Sequence, residues 1–388
     1  MTFVGGAIDA PQTPLGHFGP DGRLLLEPLK NIEGDCVNSI KRSAPLRRRA
    51  ARLSLGLLAA GAAQEASAQS SVTVFGTLDL NASYLRAGGK FVKVMDQGGN
   101  IFPSRLGFRG SEDLGGGLSA GFWLEAALLP QTGEIQGSMW NRRSTLSLVS
   151  TTLGELRLGR DYMPTFWNVS QYAPFGTVGV GGSSNIVENW PFGLGGARTL
   201  VRANNSIGYF LPRGLGGVYG QATVAAAEGV SGAHYTGARL GYASGPFDVA
   251  LAYGETPLED GRKYKIANLG GSYDFGVVKL MGFYSDQRAG DDRQASALVG
   301  ASLKVGDVGY VRASYANSNR SGPGVDADDA RQIAVGYLHY LSKRTALYAT
   351  YSRITNRGNA AYVTSDLSPA ATPGTAATGV QAGLSHQF

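Results

Sequence analysis

Thiols and long apolar runs are both scarce in this 388-residue sequence. Cys36 is the only cysteine, which excludes a disulfide framework or a thiolate metal site. The longest uncharged apolar stretch, residues 53–63, is too short to span a bilayer as a helix, which needs about 20 apolar residues. If the protein resides in a membrane, it therefore crosses that membrane as β-strands.

Glycine and aromatic residues are abundant instead. The chain has 57 glycines, 18 tyrosines and 15 phenylalanines, and its mean hydropathy is −0.09. This composition does not fit a helix-rich cytosolic enzyme.

A secretory signal is predicted at residues 47–68. Four arginines precede the apolar stretch 53–63, and a pattern of small residues follows it and ends at Ala68. Charged, apolar and cleavage regions in this order are typical of such signals. We place the cut after Ala68, which makes residues 69–388 the mature chain. An amphipathic surface helix, the alternative, would need polar residues interleaved at helical spacing.

Residues 1–46 are unusual in front of a signal, because its charged region is normally only a few residues long. Either the true start lies further down the chain, or the protein has a real N-terminal extension. Cleavage after Ala68 would remove eight basic and six acidic side chains, which leaves 27 against 23, a net charge of +4. Cys36 would leave with them, and a thiol-free mature chain suits an oxidising compartment.

From residue 71 onward, apolar residues alternate with small or polar ones, and a turn follows each such segment. Val72 and Leu78 share one parity, for example, whereas Thr73 and Asp79 share the other. A period of two residues predicts strands with two unlike faces.

The turns between these segments are of two kinds, which alternate along the chain. Seven are short: residues 112–117, 150–154, 212–217, 243–247, 273–277, 304–309 and 341–345. Eight are longer: residues 87–100, 129–140, 162–199, 225–233, 254–263, 285–293, 316–330 and 355–379. These connections predict an all-β fold, a transmembrane sixteen-stranded antiparallel up-and-down barrel with one short-turn end and one long-loop end.

Closure of the barrel follows from the medium, because in hydrocarbon every backbone N–H and C=O group must pair within the protein. Sixteen strands leave an aqueous lumen, whereas about eight would be filled by their own side chains. The alternative, a soluble β-sandwich, would need fewer strands and loops of more equal length.

Six segments of the mature chain form an ordered set: residues 71–79 (SVTVFGTLD), 104–118 (SRLGFRGSEDLGGGL), 154–160 (GELRLGR), 205–209 (NSIGY), 341–348 (LSKRTALY) and 379–388 (GVQAGLSHQF). Together with the terminal Phe388 they resemble the Gram-negative trimeric porins, in particular the branch typical of β-proteobacteria. Each segment alone is a weak signal, but the set is a strong one.

The resemblance implies a homotrimer in the Gram-negative outer membrane, surrounded by lipids and lipopolysaccharide. The third extracellular loop, residues 162–199 here, would fold into the lumen as a constriction. Phe388 would belong to the C-terminal signal read by the barrel-assembly machinery, although an aromatic at the membrane girdle is a compatible interpretation. Many relatives carry an acidic cluster in this loop, whereas this chain has only Asp161 at its base and Glu188 within it.

The expected function is passive diffusion of small hydrophilic solutes and ions, with a preference for anions, so the site would be a charged constriction. By the parity of neighbouring apolar residues, Arg105, Arg109, Arg202 and Asn204 face the lumen, where arginine avoids a cost of about 2–4 kcal/mol at mid-depth in lipid. The candidate constriction residues are Arg105, Arg109, Arg143, Arg160, Arg198, Arg202, Asp161 and Glu188.

Several of these arginines lie near strand ends, where a bulge can reverse the parity. Parity turns Arg143 and Arg157 inward and Arg160 outward, but the resemblance makes Arg160 a candidate for the pore wall. The alternative for each is an interfacial arginine bound to lipid headgroup phosphates. If several arginines line one wall and Asp161 or Glu188 faces them across the gap, the field would orient dipolar solutes and favour anions.

No enzymatic chemistry is expected. The histidines of the mature chain, His234, His339 and His386, fall on separate segments without a metal-ligand or catalytic spacing. No cofactor, metal or nucleic-acid partner is therefore expected. An adhesin or surface-antigen barrel, a substrate-specific organic-anion channel and an outer-membrane serine–histidine hydrolase are the alternatives.

Overall fold

The computed structural model describes residues 71–100, 102–189, 197–323 and 325–388. The expected signal at residues 47–68 and the segment 1–46 lie outside these residues. No helix in the described part of the chain is long and apolar enough to cross a membrane.

Strands dominate the described chain. They are β1 (Ser71–Ala87), β2 (Lys90–Gln97), β3 (Arg105–Gly115), β4 (Leu118–Leu129), β5 (Glu134–Ile135), β6 (Arg143–Ser150), β7 (Gly154–Tyr162), β8 (Arg202–Phe210), β9 (Val218–Ala225), β10 (Tyr235–Ser244), β11 (Phe247–Pro257), β12 (Lys263–Asp274), β13 (Val278–Ala289), β14 (Asp292–Val305), β15 (Gly309–Ser321), β16 (Ala330–Tyr340), β17 (Thr345–Asn356) and β18 (Ala376–Gln387). Between β7 and β8 lie one α-helix, α1 (Pro164–Gln171), and a 3-10 turn (Ser183–Asn185).

The strands form one closed antiparallel ring of sixteen, as predicted. β1 pairs with β2 along residues 80–87 and with β3 along residues 71–77, so β2 and β3 are two halves of one barrel strand. β5 is a two-residue extension that pairs with the end of β4. The other strands pair with their sequence neighbours, and β18 pairs with β1.

The ring closes at the last residue of the chain. The Phe388 N–H donates to the Gly76 carbonyl at 3.1 Å, and the Gly76 N–H donates to the Phe388 carbonyl at 3.0 Å. The Phe388 ring covers the space that a side chain at Gly76 would need. Phe388 therefore contributes to the β1–β18 seam both through its backbone and through its ring.

The predicted alternation of faces is confirmed. Val72 and Leu78 are 67% and 42% exposed on the outer face, where lipid surrounds them, whereas Asp79 is fully buried on the inner face. The outer face is apolar because the hydrocarbon around it offers polar side chains no hydrogen-bond partner. The inner face carries small and polar side chains.

Several of the predicted long loops were too long. Residues 87–100 contain β2, which follows a tight turn with positive φ at Gly88 and Gly89. The predicted loop 285–293 shortens to a turn at Gly290, and β15 continues to Ser321. Polar residues at the long-loop ends of these strands resemble loop sequence, although backbone pairing continues beyond the apolar belt.

The described parts of the third long connection, residues 163–189 and 197–201, fold into the lumen, as predicted; we call them the inner loop. Its helix α1 begins with Pro164, which suits the first helical turn because proline lacks an N–H to be paired there. The helix is held to the wall by Arg239, whose Nε donates to Asn168 Oδ1 at 2.7 Å. Further along, the Val180 N–H donates to Gln381 Oε1 on β18 at 2.9 Å.

A second segment bends inward where β2 ends, and the sequence did not predict it. Residues 98–100 and 102–104 leave the barrel wall, and Asp79 accepts the Gly99 N–H at 3.0 Å. The Gln381 side chain donates to the Gly99 carbonyl at 2.9 Å, and Arg312 of β15 donates to the Asn100 carbonyl at 3.2 Å. The lumen is therefore narrowed by this segment as well as by the inner loop.

Glycines on the inner face let the inner loop lie close to the wall. A Cβ at Gly270 of β12 would collide with the ring of Tyr172, which follows α1. We therefore expect Gly270→Ala to push the loop away and to lower the free energy of unfolding in detergent by about 1–3 kcal/mol. Denaturant unfolding of the refolded barrel measures this loss.

The matched control is Gly282→Ala on the outer face of β13, where the nearest atom would lie 3.8 Å from the new Cβ. It makes the same chemical change without touching the inner loop. Equal stabilities of the two variants would contradict the proposed close packing at Gly270.

Candidate functional site

The lumen wall formed by β3, β4, β6 and β7 carries most of the predicted arginines. Helix α1 packs instead against β9–β12, so the arginine wall borders the remaining passage. A cavity of about 400 Å³ lies along this wall towards the short-turn end. It is lined by Arg109, Arg143, Arg157, Arg213, Glu155 and Trp123, among others.

Beside the inner loop, three arginines gather around one carboxylate; we call this group the upper cluster. Glu125 of β4 accepts Arg105 Nη1 at 3.1 Å and Arg142 Nε at 2.6 Å. The Tyr162 hydroxyl accepts Arg142 Nη2 at 2.8 Å and Arg202 Nη2 at 2.7 Å. Three guanidinium groups against one carboxylate leave an excess of two positive charges.

A second group, the lower cluster, lies nearer the short-turn end. Arg157 bonds both Glu155, at 2.9 Å, and Asp161, at 2.7 Å. Arg143 lies 3.4 Å from Asp161 and stacks over the Trp123 ring. Two arginines and two carboxylates balance, so this cluster is closer to neutral than the upper one.

Arg109 has a different environment from the other wall arginines. It is half-buried, and its guanidinium lies 5.4 Å from the ring centres of both Phe75 and Trp123. Among the described residues no carboxylate lies within 4.0 Å of it. Its charge therefore adds to the positive potential of the cavity.

The structure brings together Arg105, Arg109, Arg143 and Arg202 of the predicted set. Asp161, however, was expected across the gap and lies on the arginine wall itself, paired with Arg143 and Arg157. This expectation was wrong because Asp161 keeps the inward parity of β7, which places it on the same face as Arg157 of the same strand.

Arg160 and Asn204 lie on the outer face, which corrects the expectation that both line the pore. Arg160 Nη1 donates to Asn204 Oδ1 at 2.6 Å, and its Nε donates to the Asn141 carbonyl. Arg160 keeps the outward parity of Leu158. Asn204 turns outward because Asn205 has a positive φ of 53° and interrupts the alternation of β8.

Arg198 is exposed on the part of the inner loop that returns to β8. Its backbone N–H donates to the Gly232 carbonyl of the next long loop at 2.9 Å. The structure does not bring it into either arginine cluster.

Glu188 of the inner loop does not face the arginines across the gap as a negative charge either. Its Oε1 accepts Asn268 Nδ2 at 2.9 Å and the Ser285 hydroxyl at 3.3 Å, so it is docked against β12 and β13. Burial raises the pKa of Glu188 from its ordinary 4.5 to about 8, although both hydrogen bonds lower it. At neutral pH this carboxyl group is therefore mainly protonated.

Glu125 and Tyr162 were missed by the sequence analysis. The alternation of β4 places Glu125 on the same face as Trp123, so parity could have found it. Nothing local could have found Tyr162, because its role depends on two arginines from other strands.

The comparisons with known proteins agree with this architecture. The family model described as Gram-negative porin matches residues 54–359. The chain belongs to the Gram-negative porin family. It is 37% identical to outer membrane porin protein 32 of Delftia acidovorans over 87% of this chain and 99% of that protein.

Solved structures show the same fold. The anion-selective porin from Comamonas acidovorans is 35% identical, with a TM-score of 0.73 over 82% of this chain and all of that chain. OmpT of Vibrio cholerae, in a structure described as the trimer form, has a TM-score of 0.61 at 14% identity, which shows the fold alone.

The porin is thus a multi-pass β-barrel of the Gram-negative outer membrane and a passive channel for small hydrophilic solutes. Its relatives are channels and not enzymes. The arginine wall and the inner loop are the two sides of its passage.

The buried Glu188 makes the docking of the inner loop depend on pH. A group with a raised pKa in the docked loop binds more protons than when undocked, so docking weakens as pH rises from about 4.5 to about 8 and is constant above that. Proteolysis of the inner loop in the refolded barrel, measured from pH 5 to pH 9, should accelerate over this window.

Glu188→Gln is the matched control, because glutamine has the same shape and cannot ionise. We expect it to flatten the pH profile. A profile that keeps the wild-type slope would show that another group governs loop docking.

Proposed function

We propose that this porin prefers anions because its upper cluster sets three guanidinium groups against one carboxylate. Arg105 and Arg142 bond Glu125, and Arg202 joins them through the Tyr162 hydroxyl, at the level of the inner loop, where the passage is narrow. Low-dielectric walls focus the field of this excess charge across the gap. Arginine keeps its charge at any relevant pH, so the preference would persist over the physiological range.

The positions of the other arginines support the same proposal. Arg213, in the short turn before β9, and Arg109 line the cavity below the upper cluster. Together with Arg143 and Arg157 they extend the positive potential from the short-turn end to the narrow level. Carboxylates on the opposite side of the gap, which the sequence suggested, are not needed, since a single positive wall suffices to favour anions.

A relative's name points the same way. The Comamonas acidovorans structure is of an anion-selective porin, and this chain is 35% identical to it. A channel specific for organic anions is the second candidate, because Arg109 lines a cavity of about 400 Å³ and no carboxylate of the described residues lies within 4.0 Å of it. Saturation of the current at rising organic-anion concentration would distinguish it from a general channel.

Arg202→Gln tests the proposal. Arg202 donates to the Tyr162 hydroxyl, so its loss leaves Glu125 paired with Arg105 and Arg142. One unit charge at 4 Å in water is worth about 1 kcal/mol, so we expect the anion-to-cation permeability ratio to fall about fivefold. Reversal potentials in a planar bilayer under a salt gradient measure the ratio.

Arg160→Gln is the control, because it removes the same charge from the outer face, where Arg160 bonds Asn204. It should leave the reversal potential unchanged. If both variants shift the ratio equally, the net charge of the barrel and not the upper cluster sets the preference.

We also propose that residues 47–68 are removed as a secretory signal and that the mature barrel, residues 69–388, assembles as a homotrimer. The outer face of β3–β7 supports the trimer: Leu106, Leu124, Leu146 and Leu158 point outward there, whereas tyrosines recur on the outer face from β10 to β17. Tyrosines are enriched where a membrane protein meets the membrane–water interface. An outer face with leucines and without a girdle of tyrosines therefore suits contact with another subunit better than contact with that interface.

Native mass spectrometry of the porin extracted from outer membranes tests both statements. We expect a subunit that begins at Gln69 and a complex of three subunits. A subunit that retains residues before Gln69 would contradict the cleavage site, and a monomeric complex in mild detergent would contradict the trimer.

Phe388 is proposed as part of the assembly signal in addition to its place in the seam. The seam supports this dual role, because the terminal residue is the one that completes the ring.

A further inference from the structure

A buried arginine between the barrel wall and the inner loop has hydrogen-bond donors without partners. Arg312 points inward from β15 and is only 1% exposed. Its Nη1 donates to the carbonyls of Asn100, at 3.2 Å, and Pro174, at 3.4 Å, and its guanidinium lies 4.8 Å from the ring centre of Phe175. Its Nε and Nη2 have no hydrogen-bond partner among the described residues. These two nitrogens form one edge of the planar guanidinium, so they can donate side by side to one acceptor.

A buried hydroxyl without a partner lies next to this arginine. Ser302 of β14 is directly opposite Arg312 of β15, and both side chains point to the inner face. The Cβ atoms of directly opposite residues are about 4.5–5.5 Å apart. Ser302 is 6% exposed, and its Oγ also lacks a hydrogen-bond partner in the part of the chain that the structure describes. Buried polar atoms are normally paired, so three such atoms on two neighbouring side chains indicate a bound group.

The inner loop covers this place from the lumen side. A Cβ at Gly300 of β14 would collide with the ring of Pro174, and a Cβ at Gly336 of β16 would collide with the ring of Phe175. Gly336 is directly opposite Arg312, and Gly300 lies on the strand on its other side. The two glycines therefore let the inner loop pack directly against the wall around Arg312. The space that remains beside the guanidinium suits a single ion and not a polyatomic solute.

The charge of Arg312 is not neutralised by a carboxylate. Among the described residues no carboxylate oxygen lies within 4.0 Å of it. Asp79, which bonds the Asn100 N–H at 3.3 Å, also accepts the Gly99 N–H and the Tyr348 hydroxyl, so donors already occupy its oxygens. A charge that is cut off from water is costly unless an opposite charge lies beside it.

A second basic residue near Ser302 has an acid opposite it. Lys279 of β13 is directly opposite Ser302 on the side away from Arg312, and Asp274 of β12 is directly opposite Lys279. Lys279 and Asp274 offset each other's charge, so this row of inward-facing residues keeps the single positive charge of Arg312. A monovalent anion balances that charge.

We infer that Arg312 and Ser302 bind one chloride-sized anion between the barrel wall and the inner loop. Nε–H and Nη2–H of Arg312 donate to it from β15, and the Ser302 hydroxyl donates to it from β14. A halide ion accepts from all three donors and neutralises the buried charge, whereas a water molecule supplies no charge. Because Arg312 also bonds Asn100 and Pro174, the ion stabilises the guanidinium that holds both inward-folded segments.

This site is separate from the passage for solutes. The arginine wall is formed by β3, β4, β6 and β7, whereas Arg312 belongs to β15 and is covered by the inner loop. The bound ion therefore stabilises the fold and does not permeate. The inference does not rest on the proposed anion preference, because a channel without that preference could hold the same ion.

Anomalous diffraction from porin crystals grown in sodium bromide tests the site directly. Bromide replaces chloride in halide sites, and its anomalous scattering distinguishes it from water. We expect an anomalous peak in hydrogen-bond contact with Nε and Nη2 of Arg312 and with Oγ of Ser302. A map without an anomalous peak at this position would overturn the inference.

The chloride dependence of unfolding tests the site in solution. The refolded barrel is unfolded by denaturant in detergent, in sodium chloride and in sodium gluconate of equal ionic strength, because gluconate is too large for the site. An anion that binds only the folded state raises the folding equilibrium constant roughly tenfold at ten times its dissociation constant. We expect this gain in the wild type and none in Arg312→Gln.

Arg202→Gln is the matched control, because it makes the same chemical change in the upper cluster, which borders the passage. It should keep the chloride-dependent gain of the wild type. A gain that persists in Arg312→Gln, or one that disappears in Arg202→Gln, would overturn the inference, since the effect would then come from another site.

Ser302→Ala tests the site without removing a charge, and it replaces Arg312→Gln if that variant does not refold. It removes one hydrogen bond to the anion, so we expect the chloride affinity obtained from unfolding at several chloride concentrations to fall roughly tenfold. Its control is Ser272→Ala, which truncates a buried serine on the inner face of β12, away from Arg312. Equal chloride affinities of these two variants would overturn the inference.

Discussion

The requirement that every backbone group find a partner inside the hydrocarbon governs the rest of this structure. It forces sixteen strands into a closed ring and makes the β1–β18 seam, completed by Phe388, indispensable. Once the ring is closed, alternate side chains must face lipid or lumen. The positive wall and the contacts that hold the inner loop are consequences of which residues fall on which face.

The side chains of the wall alone would leave the lumen of a sixteen-stranded ring open. The protein therefore narrows the lumen with inward-folded segments of the chain. The inner loop is held at α1 by Arg239 and at Val180, near its middle, by Gln381. Residues 98–100 and 102–104 meet it from the interrupted second strand, where Asp79 accepts the Gly99 N–H. These buried polar bonds add to an apolar cluster in which Tyr172 and Ile186 of the inner loop pack with Phe283 of the wall, and they form because polar groups cut off from water must be paired.

Charge is distributed unequally between the two sides of the passage. Six arginines of the wall and its rim, Arg105, Arg109, Arg142, Arg143, Arg157 and Arg202, face three carboxylates, Glu125, Glu155 and Asp161. The inner loop contributes Glu188, which burial keeps mainly protonated at neutral pH. The arginine wall therefore carries an excess of positive charge, in contrast to the opposed charges that the sequence suggested.

The alternation of faces, the spacing of the turns and the closed barrel follow from the sequence by itself. A period of two residues is a local pattern, and in hydrocarbon only a closed barrel pairs every backbone group of such strands. The lumen positions of Arg105 and Arg109 followed for the same reason. Only the tertiary structure decided that Asp161 shares a wall with the arginines, that Arg160 and Asn204 face outward, and that residues 98–100 and 102–104 turn inward. These features depend on bulges and on register between distant strands: the bond from Asn268 to Glu188 joins residues 80 apart, and no local pattern encodes such a distance.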